Sequence, residues 1–293
     1  MKKIRLPLLI TFFIAAAGLI VGSVFDYRIS EAIASVNNGF GIAVTIIGPT
    51  IGWGGVALIG GGFVALAVKG GYKMPAKITF IALAALIFFL SVYFAGVEVF
   101  GVNGLNVPDL VWTGYLIVLL PICGAVVGGY FLFKDNENKG FWIALVVIVV
   151  VLILMLGVGV NVLKSVMHRP RYRTVSVTDV PFYNWWVPCA GYKDHMRAFD
   201  LASEEFKSFP SGHTAYASLL LVPICFMPLG NKKTEKFQLP LYIAAVAFVI
   251  LVAFCRILVA AHYLSDVSFG AALSVLSIII INEILIRIKK VQQ

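Results

Sequence analysis

The chain has 293 residues and a formal net charge of +9, with 60% hydrophobic and only 13% charged residues, and a mean hydropathy of +0.97. Soluble domains do not look like this, so a water-soluble globular protein is excluded. The positive excess requires no nucleic acid partner, because membrane topology and one basic outer site account for it.

Taken in chain order, the apolar runs predict eight membrane spans: Leu6–Phe25, Ile42–Val68, Ile78–Phe100, Leu110–Phe133, Phe141–Leu163, Thr214–Leu229, Leu239–Leu258 and Tyr263–Ile286. A helix of about 20 apolar residues crosses a bilayer. The expected fold is therefore all-α, a polytopic transmembrane bundle. Lys2, Lys3 and Arg5 precede the first run as in a signal peptide, but the run is long and lacks a small-x-small cleavage site, which favours a retained span. Gly48-Pro49 falls inside the second run and is a reason to expect a shorter span there. Asp26–Phe40 reads as a short amphipathic helix on the membrane surface. The small-residue steps Ala57/Gly61/Ala65 and Gly124/Gly128 suit close packing between helices. Glu98 is placed near the outer end of the third span, and Asn161, in the fifth, is a candidate for an interhelical hydrogen bond.

Basic residues set the orientation. With the N-terminus in the cytoplasm, 14 of the 23 Lys and Arg residues fall on inner loops and tails, as the positive-inside rule expects, whereas the outer loop Gly101–Asp109 has none. Both termini are then cytoplasmic. Of the other nine cations, all but Arg28 lie in or between three polar clusters on the outer side: Lys164–Arg173, Phe209–His213 and Cys255–Asp266. Residues 1–140 form the N-terminal spans. Residues 141–293 form a catalytic core with a long outer loop at 172–209, and the active site is expected at the extracytoplasmic ends of the last four spans.

The clusters hold the residue types that phosphoryl transfer needs. His262 and Asp266 are four apart and share a helix face; an Asp that accepts the Nδ1 proton leaves Nε2 as a nucleophile. Pro210, Ser211 and Gly212 form a helix entry whose free N–H groups attract an anion, and they place His213 as general acid and base. Lys164, Arg171 and Arg256 are candidate phosphate-binding cations. Arg169 and Arg173 are left outside that set, as interfacial side chains snorkelling to headgroups. His168 either touches a second phosphate or shapes the turn. Phe182, Tyr183, Trp185, Trp186 and Tyr192 read as an interfacial belt, and His195 as a solvated loop residue. No paired-Cys zinc spacing or carboxylate cluster implies a metal or other cofactor. A Cys189–Cys255 bridge is sterically conceivable.

Together the clusters resemble the three-part signature of the type-2 phosphatidic acid phosphatase superfamily, K-x6-R-P, P-S-G-H and S-R-x5-H-x3-D. Here the parts read Lys164 to Arg171 followed by Tyr172 in place of proline, Pro210-Ser211-Gly212-His213 complete, and Arg256, His262 and Asp266 with Cys255 in place of serine. The resemblance spans roughly the last 130 residues. It implies a plasma-membrane hydrolase that cleaves a lipid phosphate or diphosphate through a phosphohistidine without a metal, among membrane lipids and with no obligate protein partner. Undecaprenyl diphosphate, phosphatidate and phosphatidylglycerophosphate are substrates the family offers. A phosphotransferase using the same intermediate is the nearest alternative. A transporter fits less well, because charged residues are nearly absent deep in the spans, and a phosphate receptor with a dead site does not explain a complete His/His/Asp set.

Overall fold

The computed structural model describes residues 2–97, 99–100, 111–135 and 141–291. Glu98, the outer loop at 101–109 and most of the inner turn at 134–139 lie outside the described residues. The fold is all-α, with eight helices long and apolar enough to cross a membrane, and there is no strand among the described residues. The helices are α1 (Arg5–Ile33), α2 (Gly39–Lys69), α3 (Met74–Val97), α4 (Val111–Phe133), α5 (Phe141–Leu152), α6 (Gly159–Met167), α7 (Tyr172–Val175), α8 (Tyr192–Ala198), α9 (Gly212–Ala217), α10 (Leu221–Gly230), α11 (Glu235–Leu258) and α12 (Leu264–Val291). A π-helical stretch, Ile153–Val158, joins α5 to α6 within a single span, and a 3-10 turn, Ser218–Leu220, joins α9 to α10.

Two expectations about the first spans are overturned. α1 does not stop at Phe25 but continues to Ile33, so Asp26 is a buried helical residue and no surface helix follows. Nor does Pro49 shorten the second span, because α2 runs unbroken for 31 residues. Its start is set by Asn38, whose Oδ1 accepts from the Gly41 N–H at 2.9 Å, satisfying one of the first-turn donors.

α2 is the central post, packed against α3, α4, α9 and α11, while α1 runs along α12. Lipid tails are as apolar as Leu, so helices here associate by close van der Waals approach, which small residues permit. A side chain at Gly52 would begin 1.9 Å from the Tyr216 carbonyl oxygen of α9, and one at Gly61 would begin 2.1 Å from the Val126 carbonyl oxygen of α4. The step through Gly61 thus packs as expected. On α4, however, the residue in the contact is Gly129, whereas Gly124 and Gly128 face open space. Asn161 bonds within its own helix, its Nδ2 donating to Gly157 O at 2.5 Å, and makes no interhelical bond among the described residues.

Residues 172–209 pack down on one end of the helices. Trp185 stacks on Phe209 at 5.4 Å and donates from Nε1 to Ser23 Oγ of α1 at 2.9 Å. Phe182 packs edge-on against Tyr263 at 5.3 Å. These aromatics fasten the loop to the bundle rather than forming a lipid-facing belt; Trp186 stays exposed. His195 belongs to α8 and is half-buried, its ring 6.5 Å from that of Phe206. All four cysteines are free, with Cys189 and Cys255 buried in different places, so no bridge forms.

Candidate active site

The first cluster begins on the last turn of α6. His168 closes that helix in the left-handed conformation, φ 44°, and its ring stacks on Tyr192 at 3.6 Å; it shapes the turn. The chain then leaves the helix through Arg169 and Pro170 to Arg171, which is extended, and is tied to the loop at 172–209. Arg171 N donates to Glu205 O at 2.8 Å, and Arg171 Nε donates to Glu204 O at 2.9 Å. Arg173 does not snorkel but pairs with Glu205 at 2.5 Å, and Thr174 Oγ1 donates to the same carboxylate at 2.7 Å. Burial works to raise the Glu205 carboxyl, and Arg173 more than offsets it, holding it below the usual range.

The second cluster is positioned by its cap. Ser211 Oγ accepts from the Thr214 N–H at the start of α9, and the Ser211 N–H donates to the Asp266 carbonyl at 3.0 Å. That N–H is therefore engaged with the third cluster and does not face an anion, which leaves Gly212 and His213 at the first turn. Gly212 leaves room for the first cluster: a side chain there would begin 3.2 Å from Lys164 Nζ. Gly270 serves the same approach, since a side chain there would begin 2.5 Å from Ser211 O.

The third cluster turns tightly. Ala260 is left-handed, φ 57°, and the Ala261 and His262 N–H groups both reach back to Arg256 O at 3.2 Å. That turn puts the His262 ring beneath the loop, where Nδ1 lies 2.6 Å from Ser208 O, the distance of a hydrogen bond. Asp266 Oδ2 is 3.7 Å from the same nitrogen, too far for one. The acceptor that fixes the tautomer is thus the Ser208 carbonyl, not Asp266 as the spacing suggested. The consequence is the same: Nδ1 carries the proton and Nε2 keeps its lone pair. Burial first, then Arg256 and Arg171, hold the ring's proton affinity well below the ordinary histidine range, with Asp266 pulling the other way.

The clusters converge. Arg256, His262, Lys164 and Arg171 are all electrostatic neighbours of His213. His213, Arg171, Arg256, His262 and Asp266 are all buried, and Lys164 is half-buried. The two positions that depart from the family pattern are filled by packing. Tyr172 lies edge-on to Tyr27 at 5.6 Å, and Cys255 is enclosed in α11.

Sequence reading missed the centre of the polar network. Arg169 is fully buried, not interfacial. Its Nη1 donates to Asp266 Oδ1 at 2.5 Å and to Ser265 Oγ at 2.8 Å. Its Nη2 donates to Asp26 Oδ2 at 2.9 Å and its Nε to Tyr183 O at 2.8 Å. The guanidinium also lies over the Tyr263 ring, 4.2 Å from its centroid. Asp266 in turn accepts from Ser208 Oγ and from the Tyr263 N–H at 2.9 Å. Removing one partner from such a buried pair typically costs about 3–5 kcal/mol. The available signal was Asp26 itself: a carboxylate beside an apolar span demands a partner.

The fold and the gathered His, Arg and Lys side chains define a polytopic helical membrane protein with a buried cationic cluster at one end. Comparison with family models matches residues 141–289, just over half of the chain, to the PAP2 superfamily, and the chain belongs to that superfamily. No curated protein and no solved structure matched it. Members of the superfamily act on lipid phosphates as phosphatases or phosphotransferases. The matched segment covers α5 to α12 and stops short of α1 to α4. Among the described residues, no three His, Cys, Asp or Glu side chains gather as a metal site.

Proposed function

We propose that the protein is an outward-facing lipid phosphate or diphosphate phosphatase working through a phosphohistidine. The observation that carries this is the His262 ring, held by Ser208 O through Nδ1 and facing Arg256 and Arg171, both of which, with Lys164, also neighbour His213. His262 Nε2 attacks phosphorus in line as the bond to the leaving oxygen breaks, and His213, protonated once the negatively charged phosphate sits among the cations, supplies the proton that oxygen needs. Neutral His213 then takes a proton from water, whose oxygen attacks phosphorus. The phosphorus–nitrogen bond breaks, and phosphate leaves with His262 restored. Lys164, Arg171 and Arg256 balance the phosphoryl charge, with Gly212 N–H at the helix entry, while Ser211 shapes that entry. The undecaprenyl diphosphate of a bacterial envelope suits an outward site; phosphatidate and phosphatidylglycerophosphate are further candidates, and transfer to an acceptor other than water is the second reading.

The test is phosphate release by purified protein in detergent from undecaprenyl, glycerolipid and soluble phosphate esters, with EDTA present. Turnover of at least one lipid ester without added acceptor is expected, abolished in His262→Ala together with phosphoenzyme trapping. No release from any ester, or wild-type turnover in His262→Ala, would sink the proposal. Release only with an alcohol acceptor would favour the phosphotransferase.

A further inference from the structure

α1 lies outside the segment that matches the superfamily, yet it inserts a carboxylate into the heart of the site. Asp26 Oδ1 accepts from the Ser265 N–H at 2.8 Å. Its Oδ2 accepts from Ser265 Oγ and from Arg169 Nη2. The same guanidinium holds Asp266 through its other nitrogen at 2.5 Å. Both carboxylates and the arginine are almost completely shielded from solvent. The approach is close enough that a side chain at Gly22 would begin 2.5 Å from Ser265 N and 2.7 Å from Asp26 Oδ1.

A contact that merely docked α1 on α12 would not require a charge at this depth. Two carboxylates share one guanidinium, so with both ionised the buried group would carry one net negative charge, and Asp266 is its member that faces His262. When Nε2 of His262 bonds to phosphorus with Nδ1 still protonated, the ring becomes cationic. A neighbouring negative charge stabilises that species in a site with little water to screen it. If Asp266 alone faced Arg169, the pair would be neutral and the ring would lose that support.

We propose that Asp26 is a positioning residue for the phosphoryl-transfer step: acting through Arg169, it fixes Asp266 and supplies the net negative charge that steadies the phosphorylated His262 ring. This rests on the phosphatase reading, and it assigns a task to an N-terminal span that the family match does not cover. Asp26 lies behind Arg169, so substrate binding should not depend on it.

The decisive variant is Asp26→Asn, whose amide oxygen can still accept from Ser265 N. In detergent-purified protein, kcat should fall at least about tenfold, equivalent to about 1.4 kcal/mol of barrier, with KM within about twofold of wild type. The acidic limb of the kcat/KM profile should move to lower pH, because His262 then faces Arg256 of α11, Arg171 of the first cluster, His213 of α9 and Asp266 of α12 with one negative charge fewer. A purely structural role would not move that limb. If Asp26→Asn does not fold, Asp26→Glu and Asp26→Ser are read instead: the first keeps the charge and should leave the acidic limb in place, and the second removes the charge and should move the limb to lower pH with KM retained. Wild-type kcat in a folded variant that lacks the charge, or a raised KM with kcat unchanged, overturns the proposal alone. Wild-type protein that releases no phosphate overturns the phosphatase reading and this proposal with it.

Discussion

At the scale of single residues, burial decides what each polar group can do. His262 is the clearest case, because its ring is enclosed, faced by Arg256 and Arg171, and hydrogen-bonded through Nδ1 to a carbonyl. Burial and the two arginines keep it neutral against the pull of Asp266, the carbonyl fixes which nitrogen bears the proton, and a neutral ring is the nucleophilic form. The sign of the stability effect follows. The unfolded chain protonates this histidine near pH 6.5, whereas the folded protein resists protonation. As pH falls below about 6.5 the unfolded state binds more protons, so folding loses free energy by up to about 1.4 kcal/mol per pH unit for this group. Thermal unfolding of wild type and His262→Gln between pH 7.5 and 5 should show the steeper acid destabilisation in wild type. Equal slopes would mean that the ring is not held neutral.

At the scale of helices, close approaches set the site. α12 and α9 meet where Gly270 faces Ser211 O, with a side chain there beginning at 2.5 Å. Backbone cannot yield as a flexible side chain can, so Gly270→Ala must push α12 away from the helix that carries His213. The Ser211-to-Asp266 tie of 3.0 Å would stretch, and misplacement near 1 Å can cost about a hundredfold in rate. A loss of tenfold or more in kcat/KM is expected for Gly270→Ala. Gly157→Ala, whose new methyl group meets nothing within 4 Å, should stay within about twofold; equal activity in the two variants would remove the packing argument. The same scale shows what sequence could and could not reveal. Hydropathy located all eight spans, because about 20 apolar residues in a row have few other uses, and motif spacing pointed to His213, His262 and Arg256, which the fold brings together. It ended the first span at Phe25 because it counts a charge as a boundary. Asp26 continues the helix because Arg169 and Ser265 satisfy its oxygens, and no local pattern records partners more than a hundred residues away. Arg169 was set aside for the same reason: an arginine at a span end looks interfacial until its carboxylates are known.

At the scale of the whole molecule, the buried charged side chains among the described residues lie at one end of the bundle. Asp26, Arg169, Arg171, Arg256 and Asp266 are all buried where the loop at 172–209 covers the helices, while α2 and α10 bury mainly apolar side chains. That asymmetry orients the protein only through the basic loops, since a bundle could cross a membrane either way up. Lys232, Lys233 and Lys236 lie around the start of α11, at the end away from the site, and Lys69 ends α2; the positive-inside rule predicts that those ends are cytoplasmic and that the site faces outward. Val177, 79% exposed on the covering loop, and Lys233, exposed before α11, make a matched pair of reporters. Because Cys123 is the one exposed native cysteine, Cys123→Ser provides the background. In intact cells, a membrane-impermeant maleimide should label Val177→Cys, and should label Lys233→Cys only after the membrane is opened. The reverse pattern would put the pocket in the cytoplasm, and the substrate would then have to be drawn from the inner leaflet.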